Sequence, residues 1–265
     1  MSESRSQNSF NHFSRSKYKG ENMIAIVSQN HGSGKTWMSI SLAQILSSMH
    51  KKILLFDGAS GINNIKNQLG LNALPDLDKV IYGTSSLNQI ISSYNKGHFD
   101  IILNNHDSAN LSTMSIGSMQ IFGEDLNIIA QNYDNVILDL DVNINKTSNV
   151  LAEMAKNIII ICNDNIASIA DSYELIRQFH QRAPHSQISI IINQSNNYTE
   201  GQRAYNSLLQ ACKTYMDLSL PLLGIIREDT RVRDSIRSQS TIINRYPYSE
   251  AAIDLINIAK RIEEK

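Results

Sequence analysis

The sequence predicts an α/β fold, a three-layer, doubly wound domain on a mainly parallel sheet. Three observations predict it. Short apolar runs recur along the chain, and they are continuous rather than alternating. A strand that is apolar at every position is buried on both faces, as in a parallel sheet covered by helices. Stretches with apolar residues at helical spacing lie between the runs, so strand and helix alternate with no sign of a second core. Finally, the glycine-rich stretch Gln29-Asn30-His31-Gly32-Ser33-Gly34-Lys35-Thr36 sits between the first run and the first helix, where a phosphate-binding loop belongs.

In chain order, residues 1–20 are rich in Ser and Asn, with Arg5, Arg15, Lys17 and Lys19 against Glu3. They carry too little apolar area to offset ordering entropy, so a flexible tail is expected, followed by a single domain over 21–265. The first strand is Met23-Ile24-Ala25-Ile26-Val27, and the first helix carries Trp37, Ile40, Leu42, Ile45 and Leu46. Further strands are expected at 52–57, 99–103, 135–139, 157–162, 188–192 and 222–226, with helices over 166–179, 200–215 and 251–262. The last helix bears Ala252, Leu255, Ile256, Ala259 and Ile262 on one side, a stripe expected to pack on the sheet.

Bulk properties exclude several classes. The formal net charge is -1, so no global basic field points to nucleic acid. No apolar run approaches the roughly 18 residues of a membrane span, and the first residues lack the apolar core of a secretion signal. Cys162 and Cys212 have no metal or redox spacing, and Cys162 reads as a core residue. His180 and His185 are off helical register around Pro184 and read as surface. A cytoplasmic location is the expectation.

The loop carries the chemistry. Glycines let successive backbone N–H groups turn inward around an anion, and the helix that follows presents its positive end. Gly32, Ser33, Gly34, Lys35, Thr36 and Trp37 are therefore candidate nucleotide-binding residues. Lys35 would bridge the terminal phosphates and is the candidate catalytic residue, while Thr36 would offer its hydroxyl to Mg²⁺. Ligands in doubly wound sheets bind at the carboxyl ends of strands. That rule selects Asp57, Asp139 and Asn193, each polar at the end of an apolar run. Mg²⁺ keeps several waters and needs only one or two carboxylates, so Asp57 and Asp139 join Thr36 as metal candidates.

Further motifs make a resemblance specific. Asn30 to Thr36 lies on the Lys-Gly-Gly-x-Gly-Lys-Thr loop of the MinD/ParA family of P-loop ATPases. Asp57-Gly58-Ala59-Ser60-Gly61-Ile62-Asn63-Asn64 lies on its Asp-Ala-Asp-x-Gly-x-Ala-Asn segment, followed by Leu69-Gly70-Leu71. Tyr133-Asp134 and Val136 to Asp139 match the Walker B strand. Ser168-Ile169, with Asp171 and Tyr173, matches the helix after the fifth strand. Late in the chain, Leu223-Gly224-Ile225-Ile226, Glu228-Asp229, Val232-Arg233, Gln239 and Tyr246-Pro247-Tyr248-Ser249-Glu250-Ala251-Ala252 resemble the flagellar-number regulators of the FlhG/FleN type.

The resemblance implies an ATP/ADP and Mg²⁺ site on a MinD-like fold, with Asn193 reading the adenine edge. It also implies protein partners of the flagellar system, a signal-recognition-type GTPase or a transcription activator. Departures fall at the chemistry. Asn30 stands at the signature lysine, Ala59 at the second acid of Asp-x-Asp, Asn143 at the glycine after Walker B, and His31-Gly32 at Gly-Gly. A cation supplied in trans to phosphoryl transfer is worth about 10³–10⁵ in rate. A positioned base is worth about 10²–10⁴. With both replaced, retained binding with weak or absent hydrolysis is expected, together with a monomer or an ATP-insensitive dimer. The family's N-terminal Asp-Gln-Ala-type helix and its amphipathic membrane tail have no counterpart here, so no stable membrane anchor is expected. Two alternatives stay open: a non-hydrolysing scaffold, and a ParA-like partition or polar-localisation protein. The second needs a basic patch, and Arg227, Arg231, Arg233 and Arg237 are the only candidate cluster. A solvated face is the expectation there, so DNA is not an expected partner.

Overall fold

The computed structural model describes residues 20–30, 32–59, 64–71, 74–75, 77–104, 111, 114–142 and 148–264. Of the tail expected over 1–20, residues 1–19 lie outside them, as do His31, residues 60–63 and Asn143, whereas Gly20 is buried and donates its N–H to Asn127 Oδ1 at 3.1 Å, so it belongs to the domain.

Strand β1 (Met23–Ser28) is buried at every position and leads through the glycine loop into α1 (Lys35–Ser48). Then come β2 (Ile53–Gly58), α2 (Ile65–Leu69), α3 (Asp78–Ile81), β3 (Ser92–Tyr94), β4 (Phe99–Ile102) and α4 (Ile116–Ala130). The second half runs β5 (Asn135–Asp141), α5 (Asn149–Met154), β6 (Asn157–Asn163), α6 (Ile166–Arg182), β7 (Gln187–Ser195), α7 (Tyr198–Met216) and β8 (Leu222–Arg227). Helices α8 (Thr230–Arg237), α9 (Ile242–Arg245) and α10 (Glu250–Glu263) complete the chain.

The strands form one sheet in the order β3-β4-β2-β5-β1-β6-β7-β8. Every pairing is parallel except β3 with β4. Two apolar cores lie against its two faces. Met23, Ala25 and Val27 of β1 belong to one, with side chains of α4, α5, α6 and α7. Ile24 and Ile26 belong to the other, with side chains of α1 and α10. This is the three-layer arrangement expected of strands apolar at every position, because a period of two sends successive side chains to opposite faces.

Four sequence expectations need correction. The three-residue strand β3 carries no apolar run and was not expected. Its antiparallel pairing with β4 is backed by Tyr94 stacked on Phe99 with ring centroids 5.2 Å apart. β5 and β7 run two or three residues beyond their apolar runs, carrying Asp141 and Asn193 inside regular strand. Helices α7 and α10 start earlier than periodicity suggests, because Asn197 and Ser249 cap their first turns, while α6 starts at Ile166 as expected and runs on to Arg182. The packed face of α10 centres on Ala251, Ala252, Leu255, Ile258 and Ala259, while Ile256 and Ile262 sit only partly buried at its margin.

Sheet order positions the site. β1 lies between β5 and β6, with β2 beyond β5 and β7 beyond β6. The carboxyl end of β1, where the glycine loop begins, is therefore ringed by the ends of strands from both halves of the chain. That is the topological switch point where doubly wound sheets bind ligands.

Candidate functional site

The loop opens on a turn closed by Ser28. Its hydroxyl accepts from the Asn30 N–H and donates to the Asn30 carbonyl, both at 3.1 Å. Within the described part of the loop, positive φ falls only on Gly32 (78°) and Gly34 (95°). Gln29 and Asn30 thus keep ordinary backbone angles, and the glycines carry the left-handed turns.

The far side of the loop is held by β7. The Asn193 amide, itself 1% exposed, donates to the Ser33 carbonyl at 2.7 Å. Gln194 adopts φ 58° and donates to the Gly32 carbonyl at 3.3 Å. A Cβ on Gly34 would collide with the Asn193 amide nitrogen and lie 2.6 Å from Trp37 Nε1. The loop is thus packed between a buried indole and a buried amide.

What it presents is electropositive. Gly34 caps α1 without a side-chain acceptor, and the first turn of α1 contains no acidic residue. The first N–H groups of a helix have no partner within it, so they stand available to an anion. Lys35 is nearly buried, and its ammonium lies 3.0 Å from Asp141 Oδ1.

Asp57 and Asp139 face each other in register on β2 and β5, and both are fully buried. No oxygen of either carboxylate closes a hydrogen bond, although the Ile65 and Ala59 N–H groups lie near Asp57 and the Thr36 and Ser39 hydroxyls lie near Asp139. Burial, and then the neighbouring Asp139 charge, pushes the Asp57 carboxyl well above the usual carboxylate range. Burial also raises Asp139, to about 6, against the opposing pull of Lys35 and of the nearby Thr36 and Ser39 hydroxyls. Buried carboxylates without closed hydrogen bonds are costly, and a cation relieves that cost. Hard oxygen donors that include the Thr36 hydroxyl suit Mg²⁺. Among the described residues no three His, Cys, Asp or Glu side chains could together hold a metal ion. The donor set therefore suits a cation that keeps most of its water.

A shallow cleft beside the loop is lined by Trp37, Asn193, Gln194, Arg227, Asp229 and Val232. It borders the phosphate loop on the side where a nucleotide's base would lie, and its volume is about 30 Å³. A cavity of about 390 Å³ lies at the opposite edge of the sheet, where the strands begin. The Lys51–Glu263 pair and the pairing of Lys156 with Glu21 lie on its lining. It has none of the loop's anion-binding features.

The predicted site residues thus converge: Gly32, Ser33, Gly34, Lys35, Thr36 and Trp37 from the loop and α1, Asp57 and Asp139 from neighbouring strands, and Asn193 from β7. Sequence reasoning gave no role to Asp141 or Gln194. Asp141 is the second acid of an Asp-Leu-Asp strand end, and that alternation was the available signal. Gln194 had none, because only its positive φ turns it to the loop. Three of the four arginines considered as a basic patch are engaged. Arg227 pairs with Asp254 and Glu250, Arg231 with Asp229, and Arg233 with Glu228. Ala59 is buried at the end of β2.

Comparison with known proteins adds to this geometry. Residues 24–242 match the model of the CobQ/CobB/MinD/ParA nucleotide binding domain. The chain is similar to the antiactivator FleN of Pseudomonas aeruginosa, 24% identical over 91% of this chain and 86% of that protein. It is similar to the flagellum site-determining protein YlxH of Helicobacter pylori, 22% identical over 83% of this chain and 74% of that protein. Among solved structures it resembles the septum site-determining protein MinD of Pyrococcus horikoshii complexed with Mg-ADP. That match has a TM-score of 0.76 and 20% identity, over 92% of this chain and 96% of the other.

Proposed function

The chain belongs to the CobQ/CobB/MinD/ParA nucleotide-binding family, and from that premise we propose that it is an ATP- and ADP-binding regulator of flagellar number or placement. It works in the cytoplasm through protein partners, with weak or absent hydrolysis. The observation that carries the nucleotide half of this reading is the pairing of a capless helix N-terminus behind Gly32 to Lys35 with two buried carboxylates that close no hydrogen bond, Asp57 and Asp139. The first favours the phosphates, and the second favours Mg²⁺ beside them. Bound Mg²⁺ would neutralise phosphate charge there. Gly32, Ser33 and Gly34 offer backbone N–H groups, Lys35 a cation and Thr36 a hydroxyl, while Asn193 and Trp37 brace the loop and border the base cleft.

The flagellar half is supported by the similarity to the antiactivator FleN and the flagellum site-determining protein YlxH and by the late sequence marks. A signal-recognition-type GTPase or a flagellar transcription activator is the class of partner this reading names. Weak hydrolysis follows from side chains that lack the chemistry. Asn30 carries no charge, and Ala59 is a buried methyl group. The same two residues favour a second reading, a non-hydrolysing scaffold that uses the fold to dock partners. A ParA-like partition role has less support, because Arg227, Arg231 and Arg233 are neutralised by acids of their own chain.

Two measurements on the purified protein test the reading. Calorimetric titration with Mg-nucleotide is expected to show binding that weakens about 10- to 100-fold in Lys35→Ala, the loss of charge-assisted contacts to phosphate. Steady-state phosphate release is expected at the level of the Lys35→Ala control. Turnover well above that control would sink both the weak-hydrolysis and the scaffold readings.

A further inference from the structure

We propose that Asp141 makes this site discriminate against a terminal γ-phosphate, so that the chain holds a nucleoside diphosphate in preference to the triphosphate. The inference rests on the nucleotide-binding reading above and adds a preference to it.

The lysine of such a loop serves the terminal phosphates. Here the Lys35 ammonium already has an anionic partner, Asp141 Oδ1 at 3.0 Å, and both side chains are nearly buried, at 8% and 11% exposure. Asp141 is the last residue of β5, in register with Ser28 on β1, the residue that opens the loop. Its carbonyl accepts from the buried Ser148 hydroxyl at 2.6 Å. That hydroxyl anchors the Asp141 backbone at the strand end, and the lysine pairing holds its carboxylate beside the loop.

The charge balance favours the smaller ligand. Two carboxylates of β5, Asp139 and Asp141, lie by one ammonium, and Asp57 of β2 faces Asp139. Asp57 and Asp139 lie fully buried with no closed hydrogen bond and so suit a cation. Asp141 is the one that has taken the lysine. A diphosphate brings only its β-phosphate to Lys35 and takes its other contacts from the loop N–H groups and the helix end, so it competes least with Asp141. A γ-phosphate has to share Lys35 with a fixed carboxylate of its own sign. Like charges a few ångströms apart in a partly buried site repel strongly enough to cost at least about tenfold in affinity.

Trp37, the only tryptophan, lies under the loop against Gly34 and gives an intrinsic fluorescence signal. The full chain is titrated with Mg-ADP and with Mg-AMP-PNP, with calorimetry as a second readout. ADP is expected to bind at least about tenfold tighter. Asp141→Asn is expected to raise AMP-PNP affinity at least about tenfold while changing ADP affinity less than about threefold. Equal affinities in the wild type overturn the proposal, as does a variant that shifts both ligands alike. Should Asp141→Asn fail to fold, Asp141→Ser replaces it, and the wild-type ratio still decides. If the wild type binds neither ligand, the nucleotide-binding reading falls and this preference falls with it. That result is distinct from equal, measurable affinities, which remove the preference alone.

Discussion

Asp139 shows how a single buried group ties stability to ligand. Its carboxyl is raised from 3.8 to about 6 by burial. The folded state therefore keeps a proton that the unfolded chain releases, and the nucleotide-free protein loses stability as pH rises from about 4 to about 6. For this group the loss is on the order of 3 kcal/mol. Asp139→Asn is expected to flatten that slope and to raise the nucleotide-free melting temperature above pH 6, while weakening Mg-nucleotide binding. Thermal melts across pH, with and without Mg-nucleotide, check it. A variant as pH-sensitive as the wild type would remove Asp139 from this role. Gly34 gives a second residue-scale expectation. Its φ of 95° and its contact with Asn193 and Trp37 leave no room for a Cβ. Gly34→Ala is expected to cost about 1–3 kcal/mol in urea unfolding and to lose nucleotide binding, since the loop must shift to accept the methyl group. A variant of unchanged stability would mean that the loop is laxer than this packing implies.

At the scale of elements, the end of β8 is tied to α10 and α7 through one buried carboxylate. Asp254 on α10 accepts from the Arg227 backbone N–H at 3.1 Å and from the Arg227 guanidinium at 3.0 and 3.1 Å. The Tyr198 hydroxyl of α7 donates to the same carboxylate, and Arg227 lies 4.6 Å over the Tyr198 ring. Gly224 lets β8 approach α10 so closely that a Cβ would lie 2.5 Å from Ile258 Cγ1. This junction sets where Asp229 and Val232 stand along the base cleft. Asp254→Ala removes one partner of a buried pair and is expected to destabilise by about 3 kcal/mol in denaturant melts. Tyr198→Phe keeps the pair and is expected to cost about 1 kcal/mol. The two variants together separate the ion pair from the hydroxyl contact.

For the whole molecule, the open question is whether two copies meet across the nucleotide. In the resembling family a lysine at the Asn30 position reaches the partner's site. Here Asn30 is uncharged and its backbone is folded into the Ser28 turn. Light scattering is therefore expected to give the same mass with and without Mg-AMP-PNP. A doubling of mass on adding the analogue would overturn this. Among the described residues no helix is long and apolar enough to cross a membrane.

Much of this architecture was legible in the sequence, because burial on both faces leaves a simple mark. Runs such as 135–139 and 157–162 identify parallel strands, and Gly32 to Thr36 between a strand and a helix identifies the loop. Those features are local, governed by side-chain polarity and by which backbone angles a residue tolerates. β3 left no such mark, since three residues at a sheet edge need only backbone pairing. Tertiary structure decided which polar residues face one another. Sheet order sets Asp57 beside Asp139, brings Asn193 to a loop carbonyl 160 positions away, and gives Lys35 to Asp141. No spacing encodes those pairs, because crossover connections place strands side by side that are distant in the chain. The sequence by itself therefore determined that an anion-binding loop heads this sheet, and the fold decided that its lysine meets a carboxylate there.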